Sequence, residues 1–235
     1  MAALPAEVLE LRAQLERRFP DAQPVRAGTT GAVATGLGAL DAALPAGGLP
    51  RGRVTLWRPG GGATAVLRSA SAGVVRGGER AAWVDGAGLV AGAYWDMPGG
   101  LLLFRPRSSE AAGCAEELLR SGGFALVVLS SCGVLSDGEG VRLGRGAREG
   151  GSALVVVAGG APLSHLRARS SFDVSGFQWC RGPFGEPVSL EAVAVRVKLQ
   201  SMGLSRGVRL RLPVEHHDVR LSLEPRLVDR RGVVR

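Results

Sequence analysis

Lysine is almost absent from this sequence. Of its 29 cationic residues only Lys198 is a lysine, and the formal net charge is +8. A basic surface favours nucleic acid or an acidic protein as a partner, although scattered arginines also serve simply to keep a surface solvated. The scarcity of lysine matters most for phosphate binding, because a lysine is available at one position alone.

Long apolar runs and clustered metal ligands are also missing. No stretch reaches the roughly 18 apolar residues of a transmembrane helix, and the first residues show no signal-peptide pattern, so a cytoplasmic location is expected. The cysteines lie far apart without a CxxC motif: Cys114, Cys132 and Cys180. Because zinc needs several converging ligands, we expect reduced, mostly buried thiols and no metal site.

Alternating strand and helix patterns predict an α/β fold. Strands are predicted at residues 54–57, 81–85 and 101–104, and continuous apolar runs typical of strands covered on both faces occupy residues 124–129 and 153–157. Helical patterns lie between them, including one that Ser109 is expected to cap, which favours a mostly parallel sheet flanked by helices. After about residue 174 apolar and polar residues alternate, which predicts antiparallel edge strands at 193–199, 208–212 and 219–223.

The two ends of the chain differ from this core. An amphipathic N-terminal helix, ended by Pro20, is predicted from apolar residues at helical spacing: Leu4, Val8, Leu11, Leu15 and Phe19. A second, short helix is predicted over residues 33–44. We therefore predict an N-terminal helix and linker (1–26), a core (27–223) and a basic C-terminal tail (224–235).

A glycine-rich turn after the first buried strand has the outline of a phosphate-binding loop. It consists of Pro59, Gly60, Gly61, Gly62, Ala63, Thr64 and Ala65. A working loop carries a lysine for the β- and γ-phosphates and a hydroxyl residue for Mg²⁺. Thr64 stands at the lysine position and Ala65 at the hydroxyl position. The sequence therefore predicts the architecture of an ATPase without its chemistry, and no cofactor is expected.

Two motifs before this loop resemble bacterial RecA recombinases. They are ATGLGALDAAL at residues 34–44 and GGLPRGRV at residues 47–54, and the resemblance extends over about residues 8–160. It implies a RecA-like fold and shows which residues are replaced. Ala87 stands where the catalytic glutamate is expected, Ser130 where an aspartate helps to hold Mg²⁺, and Gly159 or Gly160 where a glutamine senses the γ-phosphate. These replacements imply that the protein is not an enzyme.

A RecA-like domain with such an eroded nucleotide site resembles the ImuA family, which acts in mutagenic translesion DNA synthesis during the SOS response. The resemblance implies an adaptor, nucleoid-associated when active, that binds the Y-family-like protein ImuB. RecA and an error-prone C-family polymerase are further candidate partners, and DNA contact is expected to be weak or indirect. The family places partner binding toward the C-terminal part, which makes the tail arginines the candidates: Arg226, Arg230, Arg231 and Arg235. The stripe of Val8, Leu11, Leu15 and Phe19 is a candidate for self-association or RecA contact.

Residues 159–172 are predicted to form a short loop where RecA-type proteins have a longer DNA-binding one. Arg167 and Arg169 are the candidates for phosphate contacts there, and the alternative is a solvated surface loop. Three other functions stay open. One is a SulA-like cell-division inhibitor, because SulA and ImuA are similar in fold. Another is an unconventional nucleotide-binding protein of the RecA/KaiC type, in which the amides of Gly60–Gly62 form an anion site. The third is a DNA-binding module whose tail and arginine loop act by electrostatics alone.

Overall fold

The computed structural model describes residues 31–88, 90, 101–130, 134–161, 163–201 and 204–214. The predicted N-terminal helix, with its stripe of Val8, Leu11, Leu15 and Phe19, lies outside the described residues. So do the predicted strand at 219–223 and the arginine tail, with Arg226, Arg230, Arg231 and Arg235.

A nine-stranded sheet organises the described chain, beside a small antiparallel pair. In chain order the strands are β1 (Ala32–Val33), β2 (Leu49–Pro50), β3 (Val54–Arg58), β4 (Ala81–Asp85), β5 (Leu101–Phe104), β6 (Leu126–Ser130), β7 (Ala153–Val157), β8 (Leu166–Phe172), β9 (Gln178–Arg181), β10 (Pro187–Ser201) and β11 (Leu204–Pro213). The order across the large sheet is β11-β10-β8-β3-β7-β6-β4-β5, with β9 paired to β10. Strands β3 to β8 run parallel, whereas β10 runs antiparallel to β8, β9 and β11.

Helices cover both faces of the large sheet. They are α1 (Gly38–Ala43), α2 (Ala63–Arg76), α3 (Ala111–Arg120) and α4 (Asp137–Gly150). On one face α1 and α2 pack on a core that contains Trp57 and Trp83, and on the other α3 and α4 pack around Leu129. This arrangement confirms the predicted α/β fold with a mostly parallel sheet and antiparallel strands at its C-terminal edge. None of the helices described has the length and apolar character needed to cross a membrane.

Two predicted helix starts need correction. Ser109 does not cap α3: residues Ser108–Glu110 form a 3₁₀ turn, closed by the Glu110 amide donating to the Arg107 carbonyl at 2.9 Å, and Glu110 takes the N-cap position. The helix expected over 33–44 is confined to Gly38–Ala43. Before it, Ala32–Val33 pair with β2 as a strand. Thr35 ties the turn between that strand and the helix to Asp41, because its amide and its hydroxyl both donate to Asp41 Oδ1, at 2.9 and 2.8 Å.

The cysteines match their prediction only in part. Cys114 on α3 is partly buried, and burial raises the pKa of its thiol. Cys180 is exposed on β9. Cys132 lies outside the described residues.

Candidate functional site

The glycine loop lies at the carboxyl edge of the parallel strands, between β3 and α2. The Ala63 amide donates to the Gly60 carbonyl at 3.2 Å, which closes a tight turn. Gly62 takes a left-handed conformation with φ of 81° and is the N-cap of α2, where no side chain supplies a capping hydrogen bond. Because an L-residue adopts such a φ only with strain, Gly62 is required by the backbone itself.

Strands β8 and β10 pack directly against this loop. A Cβ on Gly60 would lie 2.7 Å from the Ser170 carbonyl oxygen, and one on Gly61 would lie 2.8 Å from Phe172 Cδ2. A Cβ on Gly62 would lie 2.9 Å from both Val195 Cγ atoms. Protein atoms therefore account for the absence of side chains at all three glycines, whereas in a working phosphate loop that space admits the ligand.

Thr64 and Ala65 occupy the first turn of α2, with Thr64 exposed and Ala65 partly buried. Thr64 contributes a short neutral side chain where the charge of a lysine would face a triphosphate, and Ala65 contributes no metal-binding oxygen. In a loop with these residues, backbone amides are the groups that can hold an anion.

At the same edge of the sheet, farther from the loop, a buried hydrogen-bonded chain joins β4 to β6. The Trp83 Nε1–H donates to Ser130 Oγ at 3.3 Å, and the Ser130 hydroxyl donates to Asp85 Oδ1 at 3.0 Å. Asp85 Oδ2 also accepts from the Val90 amide at 2.8 Å. Asp85 is 1% exposed and Ser130 is 8% exposed. The carboxylate and the serine at the Mg²⁺-ligand position are thus engaged with protein groups, and Ala87 lies in the turn after β4.

Arg167 and Arg169 do not lie in a loop, so that prediction is wrong. They are exposed residues of β8, where they alternate with buried Leu166, Ala168 and Ser170. Backbone pairing with β3 and β10 makes this segment a strand, and the loop before it ends at His165.

Sequence reasoning missed two polar contacts around strands β8 and β10. The Trp57 Nε1–H donates to Ser170 Oγ at 3.2 Å, which ties β3 to β8 beneath the glycine loop. Asp173 accepts from Ser175 Oγ at 2.8 Å and pairs with Arg196 and Arg209 at 3.1 and 2.8 Å. The Ser175 hydroxyl first, and then the two arginines, hold the pKa of Asp173 below its ordinary value. In the described ranges no three His, Cys, Asp or Glu side chains lie together as metal ligands.

The fold is that of an α/β protein, and its mostly parallel sheet and glycine loop are consistent with a RecA-like protein. No protein-family model matches the chain. The RecA protein of Salinispora tropica is 37% identical over 150 residues, covering 57% of this chain and 43% of that protein. The RecA protein of Clavibacter michiganensis is 35% identical over 135 residues, covering 52% and 37%. That of Methylococcus capsulatus is 35% identical over 136 residues, covering 52% and 39%.

The similarity to RecA covers only part of this chain and part of each RecA protein. The chain spans less than half the length of the curated RecA proteins it matches. Its relationship to RecA is therefore distant and extends over about half of its own residues.

Proposed function

We propose that this RecA-like chain is an adaptor of the ImuA type that works in SOS-induced mutagenic translesion DNA synthesis without catalysing a reaction. Its task is to bind a Y-family-like protein of the ImuB kind, and RecA or an error-prone C-family polymerase joins the assembly. It acts in the cytoplasm, at the nucleoid when DNA is damaged.

The observation that supports this proposal most is the hydrogen-bonded position of Ser130. In a RecA-type site a carboxylate is expected at this position, where it helps to hold Mg²⁺. Without the metal ion, water or other cations must balance the negative charge of the triphosphate. Ser130 instead links Trp83 Nε1 to Asp85 Oδ1 in a buried chain. Residues that ATP hydrolysis requires are also replaced at Thr64 and Ala65 in the loop and at Ala87 after β4. These replacements favour a surface that partner proteins bind over a site that hydrolyses ATP.

Co-purification with the Y-family-like partner tests the adaptor role. The full chain is expected to form a complex with that partner, and reversing Arg226, Arg230 and Arg231 to Glu is expected to weaken it by at least tenfold, because rim charges steer association. Reversal of three exposed arginines elsewhere, Arg76, Arg107 and Arg148, is the charge-matched control and leaves binding within about threefold. If the unaltered chain forms no complex, the adaptor role is contradicted. If the two triple variants lose equal affinity, the tail is not the partner-binding site.

A cellular experiment separates this role from cell-division inhibition. Deleting the gene is expected to lower damage-induced mutation frequency, and expressing the chain again restores it. Overexpression that produces filamentous cells with unchanged mutation frequency contradicts the proposal and favours a SulA-like inhibitor.

One observation favours a second candidate, nucleotide binding without the usual lysine. Helix α2 has 14 residues and no side-chain cap at its N-terminus, so its first amides carry the positive end of the helix dipole. A phosphate bound there would be held by backbone alone. Titration with Mg·ATP separates this candidate from the adaptor.

A further inference from the structure

The outermost strand on one side of the described sheet is β11, and its pairing with β10 is regular. The two strands are in antiparallel register from Ser201 opposite Leu204 to Ala192 opposite Pro213, without a bulge. Strand β11 has 10 residues, whereas strands commonly have about five or six. Among the described strands only β10 pairs with β11. We call the side of β11 that faces away from β10 the open edge.

Hydrogen bonds identify which backbone groups face the open edge. The Val214 amide donates to the Glu191 carbonyl at 2.9 Å, so Val214 belongs to a hydrogen-bonded pair across the two strands. Because N–H and C=O groups alternate in direction along a strand, every second residue before Val214 also points its backbone toward β10. The residues between them point their backbone outward, and these are Ser205, Gly207, Arg209, Arg211 and Pro213.

The open edge lacks the features that commonly keep a sheet edge from pairing. Such edges are usually short, bulged or interrupted by proline or lysine. In β11 the register is unbroken, and proline occurs only at its last residue, Pro213. At the other side of the sheet, β5 (Leu101–Phe104) has 4 residues and is a short edge of the usual kind. Strand β11 therefore offers a long row of backbone donors and acceptors to another strand.

Charges on β11 determine which strand it can accept. Arg209 and Arg211 are exposed, and β11 contains no acidic residue. Asp173 pairs with Arg209 at 2.8 Å. In the part of the chain that the structure describes, no carboxylate lies within ion-pair distance of Arg211. A second copy of β11 would bring the same arginines, and no acid, to the shared edge, and like charges on paired strands are destabilising. An acidic strand fits this edge better.

The two faces of β11 differ, and together they define the pattern of the incoming strand. On the face toward the core Val208 is half-buried, and Leu210 and Leu212 are buried. Apolar side chains of an added strand would extend this face. On the opposite face an open recess of about 570 Å³ is lined by Arg211 and Phe177, among others, and has room for an acidic side chain that pairs with Arg211. Because successive side chains of a strand point to opposite faces, the incoming strand alternates acidic and apolar residues.

We propose that the open edge of β11 binds an extended segment of a partner protein as an added strand, in which acidic residues alternate with apolar ones. The outward amides of Gly207, Arg209 and Arg211 supply main-chain hydrogen bonds, and the alternate side chains supply specificity. This inference goes beyond the adaptor role and does not rest on it, because it assigns a second surface, separate from the arginine tail, and the sequence pattern that this surface recognises.

Residue-resolved hydrogen exchange on the full chain tests whether the edge is open. The amides of Gly207, Arg209 and Arg211 point outward, so we expect them to exchange at least about 100-fold faster than those of Val208 and Leu210, which point toward β10. The inward amides are thus an internal control. Slow exchange at the outward amides of the chain alone would show that its own residues 215–235 or a second copy cover the edge, and the proposal would be overturned.

Fluorescence anisotropy with a labelled peptide of repeated Glu-Val pairs, as long as β11, tests the kind of strand. This peptide is expected to bind the full chain and to slow exchange at the outward amides. A Lys-Val peptide of equal length is expected to bind at least about tenfold more weakly, because it brings like charges to the arginines. Polyglutamate of equal charge is expected to bind at least about tenfold more weakly, because it lacks residues that favour strands.

The peptide series also defines how the proposal fails. If polyglutamate binds as tightly as the Glu-Val peptide, charge alone accounts for binding and no strand is added. If the Lys-Val peptide binds equally, the arginines do not select the partner. Absence of binding by the Glu-Val peptide contradicts the proposal as well. Each of these results overturns it.

Two pairs of variants separate main-chain pairing from charge. Gly207→Pro removes an outward amide and is expected to weaken Glu-Val binding at least about tenfold. Gly207→Ala keeps the amide, and its Cβ meets open space, so it is expected to bind within about threefold. Arg211→Glu is expected to weaken binding at least about tenfold, whereas Arg211→Lys stays within about threefold. Circular dichroism melts establish that each variant is folded. Equal binding by the two Gly207 variants overturns the proposal.

Methylated peptides test main-chain pairing without altering the protein. One peptide carries N-methyl groups on every Val and the other carries them on every Glu. Because only alternate amides of a strand face its neighbour, one of the two is expected to lose binding and the other to keep it. Equal losses, or no loss in either peptide, show that the peptide is not bound as a strand and overturn the proposal.

Discussion

Ser130 Oγ lies 3.0 Å from Asp85 Oδ1 and donates a hydrogen bond to it across neighbouring parallel strands. Both residues are buried, and the same hydroxyl accepts from Trp83 Nε1. Ser130 therefore has a structural task in this chain, which is to link Trp83 to Asp85. RecA-type proteins are expected to need a metal ligand at the same position.

Replacing Ser130 with Ala is expected to lower the free energy of unfolding by about 1–3 kcal/mol, because it removes a donor from the buried Asp85 and the acceptor from Trp83 Nε1. Ser171→Ala, at an exposed position of β8, is the control and is expected to change stability by at most about 0.5 kcal/mol. Urea unfolding without nucleotide measures both. Equal effects of the two substitutions contradict the structural task of Ser130.

Gly62→Ala tests whether protein packing shapes the glycine loop. The substitution places a Cβ 2.9 Å from Val195 at a residue with φ of 81°. Gly47 has a similar φ of 72° but open space around it, so Gly47→Ala reports the backbone cost alone. We expect Gly62→Ala to cost about 1–3 kcal/mol more than Gly47→Ala, owing to overpacking. If the two variants unfold at the same urea concentration, strands β8 and β10 do not press on the loop as described.

Asp173 is expected to make stability depend on pH. Its pKa is lowered in the folded protein, chiefly by the Ser175 hydroxyl and then by Arg196 and Arg209. A carboxyl group with a lowered folded pKa stabilises the fold above its unfolded pKa, and this contribution is lost as the pH falls through the folded value. The melting temperature of the unaltered chain should therefore drop more steeply below about pH 5 than that of Asp173→Asn.

Ser175→Ala gives a graded test of the same group. Without the largest contribution to the shift, the pKa of Asp173 moves toward its ordinary value, so the loss of stability on acidification becomes smaller and is complete at a higher pH. Identical pH profiles for the unaltered chain, Asp173→Asn and Ser175→Ala would show that Asp173 titrates as an ordinary surface acid.

The strands of the parallel core could be predicted from the sequence, whereas the contacts around the candidate site could not. Runs such as residues 153–157 are continuously apolar because both faces of β7 are covered, and this pattern is local. The error at Arg167 and Arg169 arose because the resemblance to RecA implied a loop there, although the alternation with Leu166 and Ala168 is that of a strand with one wet face.

Contacts between residues far apart in the chain had no local signal. Trp57 and Ser170 are 113 residues apart, and Ser130 and Asp85 are 45 residues apart. Which serine reaches which partner depends on the order β8-β3-β7-β6-β4 across the sheet. The replaced residues at Thr64, Ala65 and Ala87 were visible in the sequence, but the packing of Phe172 and Val195 on the glycine loop was not.

Calorimetric titration with Mg·ATP tests the central claim most directly, with a bacterial RecA protein as the positive control. The account predicts no measurable heat of binding for the full chain at nucleotide concentrations up to about 1 mM, a limit that corresponds to roughly −4 kcal/mol of binding free energy. Micromolar affinity accompanied by release of inorganic phosphate would contradict it and would make this protein an unconventional ATPase.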